Sequence, residues 1–103
     1  FDLLVLSEVG YYLQPAVLRS VLDREIPRMM LGATVVAAHW RHPVADYPAR
    51  GDHVNDIVGA TTGLHHLGGY RDADVVIEVF DTGSATSVAV RTGVPGASQF
   101  ELE

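Results

Sequence analysis

Cysteine is absent from the 103 residues, which excludes disulfides and thiolate metal sites and fits a cytoplasmic setting. Lysine is absent as well: all seven basic residues are arginines, and 13 acidic residues stand against them. The resulting formal charge of −6 would repel a phosphate backbone, so nucleic acid is not expected as a partner. Long hydrophobic runs are also missing, and nothing approaches the roughly 20 apolar residues that cross a bilayer. The opening Phe1-Asp2-Leu3-Leu4-Val5-Leu6 has neither a basic leader nor a small-residue cleavage site, so it is read as a strand and not as a signal peptide.

What is present is the composition of a globular domain, 48% hydrophobic and 19% charged, in a chain with room for one small core. Leu3 to Ser7 is a continuous apolar run, as expected of a strand covered on both faces in a parallel sheet. Pro15 suits the first turn of a helix whose Val17, Leu18, Val21 and Leu22 share one face, and Pro27 ends it. The β-branched, apolar run Ala33 to Ala38 predicts a second parallel strand. Residues 42–51, with two prolines and Gly51, predict an irregular loop, after which Asp52 is expected to cap a short helix carrying Val54, Ile57 and Val58.

Leu64 to Arg71 and Asp74 to Asp81 predict a hairpin about Asp72-Ala73. The acidic set Asp72, Asp74, Glu78 and Asp81 then reads as a solvated face. Residues 1–81 therefore make one α/β unit: parallel strands that end in an antiparallel hairpin. Residues 82–103 read as a loose tail, with Val88 to Val90 as the candidate for an edge strand.

Two strings carry a family resemblance, FDLLVLSEVGYYL at residues 1–13 and HWRHP at residues 39–43. The first resembles the fourth strand of a class I S-adenosylmethionine-dependent methyltransferase and the loop after it. The second is similar to the end of the fifth strand in the NodS-like, nodulation-protein N-methyltransferase members. LHHLGGYRDADVVIEVFD resembles the sixth and seventh strands. The resemblance implies the C-terminal half of a Rossmann-like sheet. It also implies S-adenosylmethionine as the cofactor of the full-length parent and the amine of an aminosugar or glycan as the methyl acceptor. The glycine-rich loop and the ribose-binding acid that hold such a cofactor have no counterpart here, because Gly63 to Gly69 lacks a strand-to-helix context. The chain alone is expected to bind no cofactor.

Ligands of open parallel sheets sit beyond the carboxyl ends of the strands, so Glu8, Tyr11 and Tyr12 should share a crevice with His39, Trp40, Arg41 and His42. An ammonium acceptor must lose a proton before its lone pair is available. Glu8 and His39 are the catalytic candidates for taking it, with His42 behind them. Tyr11, Tyr12, Trp40, Arg41 and His42 are the substrate-binding candidates. The plainer alternatives are a salt-bridged carboxylate at Glu8, packed rings at Tyr11 and Tyr12, and a structural corner at His39 to Pro43 with Arg41 paired to an acid. The five histidines show no helical ligand spacing, and no metal is expected.

Two kinds of function remain in view: a fragment of a small-molecule methyltransferase, or a noncatalytic dimerising α/β domain. In either, Phe1 to Ser7 becomes an exposed apolar edge guarded only by Asp2, which predicts a homodimer or larger assembly through it.

Overall fold

The computed structural model describes residues 2–42, 50–83 and 88–96, and for Tyr11, Val88 and Arg91 the description stops at the backbone. In chain order these form β1 (Leu3–Ser7), α1 (Pro15–Glu25), β2 (Thr34–Trp40), α2 (Gly51–Gly59), β3 (His65–Arg71), β4 (Val75–Asp81) and α3 (Val88–Arg91). Short 3-10 turns lie at Gly10–Tyr12 and Ile26–Arg28. The four strands make one sheet in the order β1-β2-β4-β3. β1 runs parallel to β2, and β4 is antiparallel to both of its neighbours. This is the α/β plan with a reversed terminal hairpin that the order of sequence signals implies.

Alternation along the strands sends Val35, Ala37 and His39 of β2 to the same face as Leu4 and Leu6 of β1 and Val76 and Phe80 of β4. Both α1 and α2 bury apolar residues with that face. α1 begins at Pro15, where the missing amide proton costs nothing, and contributes Leu18 and Leu22 one turn apart. Ile26 in the following 3-10 turn continues the same stripe. α2 contributes Val54, Ile57 and Val58. Each fully buried leucine or phenylalanine stabilises by about 1.5–3 kcal/mol. The opposite face carries Leu3, Val5, Val36, Ala38, Trp40, Val75, Ile77 and Val79, all half-buried or exposed.

Three expectations need correction. Val88 to Val90 is not an edge strand but part of the single helical turn α3. It is closed by Gly93 N–H donating to Val90 O and Val94 N–H to Ala89 O, the paired bonds that end a helix. Asp52 does not cap α2: Arg50 holds the cap position, and Asp52 in the first turn is drawn instead to Arg41. The acidic hairpin residues are not one solvated face. Asp81 is fully buried at the end of a strand flanked on both sides, and its Oδ2 accepts from Gly83 N–H at 2.7 Å. Asp72 Oδ1 accepts from the amides of Asp74 and Val75, both at 2.8 Å, and so builds the hairpin turn.

Candidate active site

The parallel pair β1 and β2 ends in two loops whose backbones cross-bond. Glu8 directly follows β1 with φ at +59°, the left-handed region that costs a non-glycine residue about 1–2 kcal/mol. Its amide donates to Ala38 O at 3.0 Å, and its Oε1 accepts from Trp40 N–H at 2.8 Å. A strained backbone at a strand end, with a carboxylate fixed across to the next strand, is the arrangement expected where a side chain must be aimed.

His39 is fully buried and both ring nitrogens are engaged. Its Nε2 lies 3.1 Å from Gly10 N, and its Nδ1 lies 2.9 Å from Asn55 Oδ1. Asn55 decides the tautomer. Its Nδ2 is 3.2 Å from Ala37 O, a group that only accepts, so the amide nitrogen points there and Oδ1 faces the ring. His39 therefore donates from Nδ1 and accepts at Nε2 from Gly10 N–H. Burial lowers its pKa, with the Asn55 hydrogen bond and the Glu8 charge pulling the other way.

The packing around this ring is close enough to require glycine on two sides. A Cβ on Gly10 would run into Val54 Cγ1 and reach 3.1 Å from His39 Nε2. A Cβ on Gly51 would overlap Trp40 O and come within 2.9 Å of His39 Cβ.

Of the seven residues marked in the sequence, Glu8, His39 and Trp40 are tied together at this end of the sheet, Glu8 to the Trp40 amide and His39 to the loop after β1 through Gly10 N–H. Tyr12 ends the 3-10 turn that starts at Gly10 and is more than half exposed. Trp40 is exposed beside Glu8, and its ring centroid is 4.9 Å from that of His42. The Tyr11 side chain lies outside the described residues, as do residues 43–49 of the loop.

Arg41 turns away from the crevice. Its guanidinium holds Asp52 through Nε to Oδ1 at 2.8 Å and Nη2 to Oδ2 at 3.0 Å, and its Nη1 donates to Asp72 O at 2.6 Å. The fork raises the Arg41 pKa and lowers that of Asp52, chiefly through the hydrogen bonds themselves. His42 Nε2 sits 2.7 Å from Asp74 Oδ1 at the hairpin. Asn55 and Gly10 were missed in the sequence. The available signal was positional: Asn55 shares the helix face of Gly51, Val54 and Val58, where a polar residue needs a buried partner.

Beneath the 3-10 turn a groove of about 510 Å³ opens along β1 and α1, lined by Leu4, Leu6, Val9, Tyr12, Leu18 and Val21 among others. Its lining is almost wholly apolar, with Glu25 as the charged residue.

No family model matches the sequence, and no curated protein does. Solved structures do. A protein from Pseudomonas syringae assigned as a methyltransferase superposes with a TM-score of 0.64 at 26% identity over 79% of this chain. N-methyltransferase NodS from Bradyrhizobium japonicum WM9, solved with S-adenosyl-L-homocysteine, gives 0.64 at 23% identity, again over 79%. The chain has the fold of half a methyltransferase. It spans 47% and 45% of those two proteins, and its fold fits their C-terminal half, as the strand resemblances imply. Cofactor-cradling geometry is not found among the described glycines of the candidate stretch. Gly63 lies in the turn before β3, and Gly68 and Gly69 lie inside that hairpin strand, not at a strand-to-helix turn.

Proposed function

We propose that this chain is the acceptor side of an S-adenosylmethionine-dependent N-methyltransferase acting on a small amine, with the amino group of a sugar or glycan as the favoured acceptor. The observation that carries this reading is the placement of Glu8. A carboxylate on strained backbone, tied to Trp40 N–H, stands at the carboxyl ends of two parallel strands, an end of the sheet at which Tyr12 and Trp40 are exposed. Anionic charge suits an ammonium, and the carboxylate is placed to take the proton that the nitrogen must lose to expose its lone pair. His39, with its lone pair accepting from Gly10 N–H, serves this reading by holding the turn. Arg41 and His42 anchor the crevice wall to α2 and to the hairpin. The structural neighbours support the reaction class, and a cysteine-free chain agrees with a cytoplasmic setting.

The test is methyl transfer from isotopically labelled S-adenosylmethionine to aminosugar acceptors by the protein at its full natural length. Glu8→Gln is expected to cut turnover about 100-fold with cofactor affinity unchanged. Absence of transfer to any amine, or full activity of Glu8→Gln, overturns the proposal. The isolated 103 residues are expected to bind S-adenosylmethionine weakly or not at all, and micromolar binding by calorimetry would contradict that.

A second reading rests on the β1 edge, where Leu3 and Val5 are 56% and 53% exposed. Two copies meeting there about a twofold axis would pair antiparallel and join their four-stranded sheets. This proposal of a homodimer is compatible with either a catalytic or a noncatalytic role.

A further inference from the structure

We propose that Asn55 is a positioning residue for the acceptor loop: through His39 it holds the amide of Gly10, and with it the turn that presents Tyr12. This inference rests on the acceptor-side reading above for its purpose, but its geometry stands apart from that reading. Five residues on four elements form one directed chain. Ala37 O on β2 accepts from Asn55 Nδ2 on α2 at 3.2 Å, and Glu78 Oε1 on β4 lies 3.4 Å from the same nitrogen. Both neighbours accept, so Asn55 cannot flip without setting its carbonyl against two acceptors. Its Oδ1 is thereby committed to His39 Nδ1 at 2.9 Å, and the proton sits on that nitrogen. Nε2 then presents a lone pair to Gly10 N–H at 3.1 Å, the first residue of the 3-10 turn.

The internal bonds of the turn run from Tyr12 N–H to Val9 O and from Leu13 N–H to Gly10 O, and they shape it. Gly10 is what lets the chain come this close, since any side chain there would meet Val54. His39 and Asn55 are both within 1% of full burial, and each satisfies the other's polar group there. An apolar pair would fill the space without specifying a direction. The tautomer gives the direction.

The experiment uses the 103-residue chain labelled with nitrogen-15. In the unaltered protein the His39 ring should show a protonated Nδ1 and a bare Nε2, and the Gly10 amide should exchange slowly. Asn55→Leu should speed Gly10 exchange by about tenfold relative to the Val36 amide in the same sample, the ratio expected for loss of one specific hydrogen bond. Asn55→Asp sets a carboxylate oxygen against Ala37 O and Glu78 Oε1 and favours a second proton on His39, so it should lose the Gly10 protection as Asn55→Leu does. A protonated Nε2 in the unaltered protein, or Gly10 exchange in Asn55→Leu or Asn55→Asp equal to that of the unaltered protein, overturns the proposal. If a variant does not fold, the tautomer of the unaltered protein still decides. None of these readouts depends on methyl transfer, so failure of the clamp and failure of the Glu8 test are separate results.

Discussion

β1 and β2 are close in composition and opposite in circumstance. Both are apolar runs that read as strands covered on both faces. β2 lies between β1 and β4, and every second residue from Val35 to His39 is fully buried. Among the described residues β1 has a partner on one side only, and its best-covered residues, Leu4 and Leu6, are half-buried over the apolar groove while Leu3 and Val5 face solvent. Sequence dictates the apolarity of a strand, but its neighbours decide whether that apolarity stabilises this chain or awaits another surface. Here β2 belongs to the core of the chain, and β1 leaves an apolar edge uncovered by the described residues, while the structural neighbours are about twice as long.

The sharpest break between the two strands comes from the same substitution made in each. Val35→Asp buries a carboxylate in the core and should cost more than about 4 kcal/mol, enough to unfold a small domain. Val5→Asp, on an exposed edge, should stay within about 0.5 kcal/mol of the parent in urea unfolding if the chain is monomeric. Equal losses at the two positions would mean that β1 is as enclosed as β2.

Assembly sharpens the comparison next. At micromolar concentration sedimentation should give at least twice the 11.1 kDa chain mass, and Val5→Asp should return it to the monomer without unfolding. A well-folded monomer of the unaltered chain would remove the homodimer and leave the edge to whatever completes the sheet.

A smaller effect is expected from pH, and it belongs to β2 alone. His39 titrates in the folded protein below its ordinary value of 6.5, because burial disfavours the charged ring. The unfolded chain thus binds the proton first, and stability present above pH 6.5 is lost as pH falls from there towards the lowered folded value. Protonation would also set an Nε2–H against Gly10 N–H. Urea midpoints should therefore decline through that window, and the decline should be absent in His39→Gln, which does not titrate.

The fold was legible wherever a signal was local. Leu3 to Ser7, Pro15 and the hairpin about Asp72 lie where apolar runs and turn chemistry put them. Errors arose where tertiary partners outbid local preference. Asp52, a good capping residue by type, is taken by Arg41, and Asp81 is buried by strands that are remote in sequence. In the site, the strand-end rule located Glu8, His39 and Trp40, while the jobs of His39 and Arg41 depended on partners 16 and 11 residues away that no local pattern announces.

The smallest effect is expected at the tips of the two strands, and it tests how differently they are tied down. β1 is followed by Glu8, which bonds across to β2 through Ala38 O and Trp40 N–H. β2 is followed by Arg41, which reaches α2 through Asp52 and the β3–β4 turn through Asp72 O, while its own amide donates to Asp74 O at 2.7 Å. Arg41→Gln removes the fork to Asp52 but keeps the backbone bond, and the pair is solvent-facing enough to be screened, so the stability loss should be the least of those predicted here. Its signature is clearer than its size. Asp52 now titrates below its ordinary 3.8 because Arg41 hydrogen-bonds its charged form, so the stabilisation is present above that pH and is lost as pH falls through the lowered value. In Arg41→Gln the Asp52 carboxyl, followed by carbon-13 NMR, should titrate higher than in the parent. The stabilities of the two proteins should differ at neutral pH and converge in acid, while Glu8→Gln leaves the Asp52 titration unmoved. An Asp52 titration unchanged by the loss of Arg41 would mean that the end of β2 is no more firmly anchored than the end of β1.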